Sequence, residues 1–185
     1  MIDLPKLVLR AMTPADVPAV MQIQARCYGP PMQESEATIR ARLAASPDLS
    51  WVANADGGTG AYLVAYRSRL GKLGALGAPF DIDVDPDSLY LHDLAVDPGC
   101  KGLGLGPALV RMALRKADDE SLPYSSLVSV QSSKEFWERQ GYAVWTGLDA
   151  HQASHLETYS GQAWYMVNRL KPGAAIPEPG RVRMR

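Results

Sequence analysis

The chain has 185 residues, of which 46% are apolar and 21% charged, and a formal net charge of −1. That length suits one hydrophobic core, and the composition excludes a disordered or fibrous protein. Near-neutral charge removes any whole-molecule pull toward nucleic acid or an anionic membrane, and no stretch is apolar enough to span a bilayer. Cys27 and Cys100 stand far apart without ligand-spaced neighbours, which predicts a reduced, cytoplasmic chain with neither disulfide nor zinc. Met1 to Arg10 carries Asp3 and Pro5 and does not read as a secretory leader.

In chain order, Leu7-Val8-Leu9 predicts a short buried strand. Thr13-Pro14-Ala15-Asp16 then carries helix-start chemistry: a capping hydroxyl, proline at the first position and an acid at the positive end of the dipole. The helix runs to about Cys27, breaks at Tyr28-Gly29-Pro30-Pro31, and resumes from Ser35 to Ala45 with Ile39 and Leu43 on one face. Trp51 to Ala55 and Gly60 to Tyr66 flank Asp56-Gly57-Gly58-Thr59 and predict a hairpin. A long loop, Gly71 to Asp87, follows; its aspartates 81, 83, 85 and 87 lack the glycine and glutamate of a calcium loop. Strand Leu89 to Val96, helix Pro107 to Ala117, strand Leu127 to Val130 and helix Lys134 to Gln140 come next. Strands near Tyr142 to Trp145 and Trp164 to Val167 complete the pattern. His151 and His155 lack a third ligand and read as loop histidines, so no metal is expected. Lys171 to Arg185 reads as a mobile tail after a single domain over residues 1–170.

The segment from Leu89 to Leu109 runs from a strand through a glycine-rich turn into a helix. Gly102, Gly104 and Gly106 open backbone amides to a phosphate, the helix start adds its positive end, and Lys101 adds a charged donor. A Walker loop would need lysine and serine or threonine after its last glycine, and a dinucleotide fingerprint would space its glycines differently; neither fits.

Lys101-Gly102-Leu103-Gly104-Leu105-Gly106 resembles the acetyl-coenzyme A signature Q/R-x-x-G-x-G/A of the GNAT superfamily of N-acetyltransferases, with lysine in the first position. The resemblance covers roughly residues 6 to 170. Leu7 to Cys27 is similar to the family's first strand and helix, and Ser132 to Tyr142 to its second coenzyme-binding helix, with Ser133 and Trp137 as coenzyme contacts. It implies an α/β fold with a mixed, largely antiparallel central sheet flanked by helices, and a fourth strand splayed from the fifth. Leu94, Ala95 and Val96 would then hold the pantetheine arm, and a backbone amide near Leu94 would polarise the thioester carbonyl.

Acetyl transfer to an amine needs a proton acceptor, a polarised carbonyl and, usefully, a proton for the departing thiolate. His92 is the favoured base, and alternation places it on one strand face with Tyr90 and Leu94. Asp93 is the second candidate, on the opposite face unless a bulge re-aims it. Leu91 to Val96 is similar to the strand of arylalkylamine N-acetyltransferases that carries two histidines, with Tyr90 in place of the first. Trp137 stands where the family has its tyrosine acid; Tyr90 or Tyr142 are substitutes. For the acceptor, Glu34 and the loop aspartates would attract a cationic amine, with Tyr28 and Pro31 as an apolar wall.

These readings predict an acetyl-CoA-dependent N-acetyltransferase acting on a small-molecule primary amine of arylalkylamine or polyamine type, with amino-acid derivatives or aminoglycosides behind them. No nucleic-acid or membrane partner is expected, and a homodimer is left open. The alternative is an acyl-CoA-binding sensor or interaction module without turnover, which the indole of Trp137 raises.

Overall fold

A computed structural model of the chain describes residues 7–176. Its strands are β1 (Val8–Ala11), β2 (Ser50–Ala55), β3 (Gly58–Ser68), β4 (Ser88–Val96), β5 (Tyr124–Ser129), β6 (Ala143–Val144) and β7 (Trp164–Arg169). Its helices are α1 (Val17–Cys27), α2 (Glu36–Ala45), α3 (Leu105–Asp119), α4 (Lys134–Arg139) and α5 (Ala150–Leu156). The strands form a seven-stranded sheet in the order β1-β2-β3-β4-β5-β7-β6. Pairs β1–β2, β2–β3, β5–β7 and β6–β7 are antiparallel, and β4–β5 is parallel. The β4–β5 register runs from Ser88↔Tyr124 to Leu91↔Leu127 and ends there, where the two strands splay. This is the mixed, largely antiparallel α/β sheet flanked by helices that the resemblance implies.

The described chain forms two compact units, residues 7–65 with 92–113 and residues 66–91 with 114–176. In the first, Val17, Val20 and Ile23 of α1 and Ile39 and Leu43 of α2 are buried, as the helical spacing requires, and α1 packs on α2. The hairpin turn has Asp56 at φ 49° and Gly57 at φ 84°, both left-handed, the pairing that matches the twist of two-residue hairpins. The start of the first helix is a short 3-10 turn, Pro14–Asp16. Asp16 Oδ2 accepts from Thr13 N at 2.8 Å and Thr13 Oγ1 at 2.9 Å, and Arg10 grips both carboxylate oxygens at 2.6 and 2.7 Å. The predicted burial of the first strand fails. Leu7 and Val8 are 41% and 42% exposed, because β1 is an edge strand paired only with β2.

In the second unit, Tyr66, Leu73, Tyr90, Tyr124, Tyr165 and Val167 make a core cluster. The long loop is pinned within this unit. Arg69 pairs with Asp83 and Asp85, Lys72 with Asp81 and Asp83, and Asp87 accepts from Leu70 N. His151 and His155 lie on α5 and not in a loop, because Asp149 caps that helix by accepting from Gln152 N. His155 Nδ1 donates to the Leu73 carbonyl and Gln152 Oε1 accepts from Leu73 N, so α5 holds the loop. Of the expected mobile tail, Lys171 pairs with Asp118 and Tyr124 donates to Ala175 O; residues 177–185 lie outside the described residues.

Arg10 and Thr13 outweigh the effect of partial burial and hold the Asp16 carboxyl down at about 2, against 3.8 for a free one. A depressed folded pKa contributes stability above the unfolded value and loses it as pH falls toward the folded one. Asp16→Asn is therefore expected to cost about 1–2 kcal/mol near neutral pH, allowing for the part-exposed arginine. Denaturant melts should show wild type losing that advantage between pH 4 and pH 2, with the variant flat over the same range.

Candidate active site

The distal half of β4 carries the chemistry of the first unit. Its lead-out, Asp97, accepts from Gly99 N at 2.8 Å, caps the 3-10 turn Pro98–Cys100, and pairs with Arg26. Asp97 N donates to Gly60 O, so the turn packs on β3 where a side chain has no room: a Cβ at Gly60 would lie 2.8 Å from Cys100 Sγ and Leu105 Cδ1. The chain then passes through Lys101, Gly102, Leu103 and Gly104 into α3. Gly102 and Gly104 sit at φ 84° and 74°, and a Cβ at either would meet nothing within 4 Å. Lys101 and Leu103 are exposed, while Leu105 is buried and anchors the helix. The cradle faces open space ahead of a 15-residue helix, which fits the pyrophosphate of a coenzyme.

His92 and Asp93 line one small cavity with Val20, Glu34, Ile39, Arg42, Tyr62 and Val64. Strand alternation predicts opposite faces for this adjacent pair; the structure turns both toward the cavity. Asp93 Oδ1 accepts from the Tyr28 hydroxyl and Oδ2 from the Tyr62 hydroxyl, each at 2.5 Å. Burial pushes the Asp93 carboxyl above the usual carboxylate range, while His92 and the two phenols pull the other way. Burial, with the Asp93 charge behind it, drives both phenols well above the usual tyrosine value, so they act as donors only. Across the cavity Arg42 Nη1 lies 2.5 Å from His92 Nε2 and is ion-paired with Glu34. Burial would raise the Glu34 carboxyl, but contacts with His92 and Arg42 hold it below its ordinary value.

The α1–α2 break positions these groups. Gln24, 1% exposed, donates to Glu34 O at 2.9 Å and accepts from Glu34 N at 2.8 Å, fixing the connector from its backbone. Tyr28 Oη also lies 3.2 Å from Leu94 O, and Cys27 Sγ lies 3.2 Å from Val96 O. Pro31, expected as an apolar wall, is exposed in the 3-10 turn Pro30–Met32. Of the loop aspartates, expected to attract an amine, 81, 83 and 85 pair with Arg69 and Lys72, and Asp87 accepts from Leu70 N. Gln24, Arg42 and Tyr62 escape sequence reading. Each reads as an ordinary helix or strand residue, and only burial of its polar end sets it apart.

The second unit holds Tyr90, Ser133, Trp137 and Tyr142. Tyr90 is 1% exposed and its ring packs at 5.0 Å from the Tyr66 ring, so its phenol is buried in the core of this unit. Tyr142, the other substitute acid, is buried against Ser125 Oγ at 2.7 Å, with its phenol well above the usual range through burial. Trp137 is buried edge-on to Phe136 and Tyr142. Ser133, the residue before α4, shares a hydrogen bond with Ser129 Oγ at 3.0 Å. Leu94, Ala95 and Val96 lie beyond the last β4–β5 register pair, with Ala95 buried. Among the described residues no group of histidine, cysteine, aspartate or glutamate is placed to hold a metal, and no helix is long and apolar enough to cross a membrane.

Residues 17–142 match the acetyltransferase (GNAT) family. The chain belongs to that family. It carries the GNAT acyl-CoA-binding fold, with the β4–β5 splay that goes with it. No curated protein matches the chain. Solved GNAT structures share the fold at low identity. One is GphF, a GNAT-like decarboxylase in complex with isobutyryl-CoA, at 18% identity and TM-score 0.68, covering 89% of this chain and 100% of that one. Another is the ribosomal-protein-S18-alanine N-acetyltransferase from Escherichia coli, at 18% and 0.64, covering 94% and 100%. A third is a GNAT acetyltransferase from Brucella melitensis in complex with acetyl-CoA, at 18% and 0.59, covering 94% and 93%.

Two outcomes follow from this geometry. Gly104→Glu sets a carboxylate and a strained left-handed φ in the glycine turn, and calorimetry should show coenzyme A affinity falling by about tenfold or more, with the melting temperature lowered by about 3–6 °C from the strain alone. Tyr62→Phe removes one donor from the buried Asp93 carboxylate and should cost about 2 kcal/mol in denaturant melts, less at pH values low enough to protonate Asp93.

Proposed function

We propose that this GNAT protein transfers an acetyl group from acetyl-CoA to the primary amine of a small molecule, with His92 as the proton acceptor. The observation that carries this reading is the cavity: His92 lines it beside two carboxylates, in the same unit as the glycine cradle. At ≈ 10 Å³ it has room for about one water-sized group, the size of an amino nitrogen and not of a branched skeleton. Carboxylates around it, Glu34 and Asp93, outnumber the single Arg42 guanidinium, which favours a cationic amine at the cavity mouth.

The chain's residues divide the work. The backbone of the Lys101–Gly106 turn and the N-terminal end of α3 hold the coenzyme's pyrophosphate, and β4 near Leu94 lines the pantetheine path. Bound acetyl-CoA supplies the activated acyl group. His92 takes the amine proton, and Tyr28 and Tyr62 keep Asp93 fixed while it does so. With Tyr90 and Tyr142 both buried and an indole at position 137, none of these three serves as acid, and the thiolate leaves unassisted, which a thiol near neutral pH permits. A second reading, acyl-CoA binding without transfer, is favoured by the indole at position 137.

Free-thiol release from acetyl-CoA across a panel of small amines tests this. Amine-dependent release that falls by about 10²- to 10⁴-fold in His92→Ala, with coenzyme affinity retained, is the expected result. Tight coenzyme binding with no release for any amine would favour the binding module.

A further inference from the structure

One nitrogen of the cavity has two neighbours of opposite character. His92 Nε2 lies 2.5 Å from Arg42 Nη1 and 3.4 Å from Glu34 Oε1, and the same Arg42 nitrogen is ion-paired with that oxygen. A guanidinium only donates and an ionised carboxylate only accepts. The 2.5 Å contact therefore uses the bare lone pair of Nε2, which leaves the single proton of the neutral ring on Nδ1. When Nε2 gains a proton, it loses Arg42 as a donor and faces a carboxylate oxygen one small movement away.

We propose that Glu34 and Arg42 are a partner-exchange pair for His92: Arg42 holds the neutral ring by donating to Nε2, and Glu34 accepts the Nε2–H that forms when the ring takes the amine proton. The step moves one proton from the amine nitrogen to Nε2, and the electron pair of the broken N–H bond stays on the amine nitrogen. Its catalytic meaning rests on the N-acyl-transfer reading above. Both partners are fixed in advance. Arg42 is 4% exposed on α2, and the Gln24 side chain clamps the backbone of Glu34 on both sides. Glu34, expected from sequence to attract the acceptor, is thus a positioning residue that serves His92. The other ionisable groups facing the cavity are Asp93, next to His92 on β4, and Tyr62 of β3, whose hydroxyl is committed to Asp93.

The test is the protonation of His92 in the whole chain, read by nitrogen NMR of histidine-labelled protein, beside amine-dependent thiol release across pH. The chain has three histidines, and His92→Gln assigns the relevant signal against His151 and His155. In wild type the neutral ring is expected to carry its proton on Nδ1. Glu34→Gln should lower the pH at which the ring protonates by about one unit, and Arg42→Gln should raise it by about as much. One variant removes the acceptor of the imidazolium; the other removes the cation that opposes it. The acid limb of the rate profile should move in the same two directions, with KM for acetyl-CoA unchanged, and Arg42→Lys should return it toward wild type. A neutral wild-type ring with its proton on Nε2 overturns the proposal without any variant having to fold. Shifts of the same sign in the two variants, or none, also overturn it. Opposite shifts without thiol release for any amine would leave the exchange pair standing and overturn the transfer reading instead.

Discussion

A carboxylate is expensive to remove from water unless donors replace the hydration it loses, and burial presses that condition on the Asp93 side chain. Its two oxygens are met by the hydroxyls of Tyr28, just past the end of α1, and Tyr62, in β3. The end of α1 and β3 are thereby tied to one point on β4. That point lies beyond Leu91, the last β4 residue in register with β5. A strand that has lost its neighbour needs other anchors, and here consecutive residues supply them: Arg26 to Asp97, Cys27 to Val96 O, and Tyr28 to Asp93 and Leu94 O. The end of the first helix thus stands in for part of a missing strand.

The same constraint organises the charge of the cavity. Arg42 offsets Glu34, the tyrosines satisfy Asp93, and His92 sits between the two systems. Such a network is stable only when every member is satisfied, so the placement of each side chain depends on the others. Gln24 illustrates how far this extends. A buried amide spends its donor and acceptor on the backbone of residue 34, ten positions away, and so aims a carboxylate without touching it. In the second unit the acidic loop follows comparable logic, its aspartates 81, 83 and 85 neutralised by Arg69 and Lys72 and its backbone held by α5.

Much of the fold was legible because it is encoded locally. The Thr13-Pro14-Ala15-Asp16 start, the Asp56-Gly57 turn and the helix stop at Gly141 each depend on the conformational preference of one or two residues. The phosphate cradle is legible for the same reason, since left-handed φ at residues 102 and 104 is nearly a glycine property. The misreadings share a different cause. Leu7-Val8-Leu9 looks buried by hydrophobicity, but burial depends on how many neighbours a strand has. His92 and Asp93 point to opposite faces by alternation, but both line one cavity, where partners from other elements meet them.

By itself the sequence determined the order of the elements and the glycine turn, because these follow from short-range backbone chemistry and periodicity, while the fold class and the link to acyl-CoA came from the resemblance of one segment to a known signature. Only the tertiary structure decided which polar groups meet. Arg42 reaches His92 across fifty residues, Tyr62 reaches Asp93 from the neighbouring strand, and three aspartates of a long loop are consumed by cations beside it. Side-chain partnership of this kind is settled by desolvation: a buried charge takes whichever donor or acceptor the packing brings within reach, and no spacing along the chain records that choice.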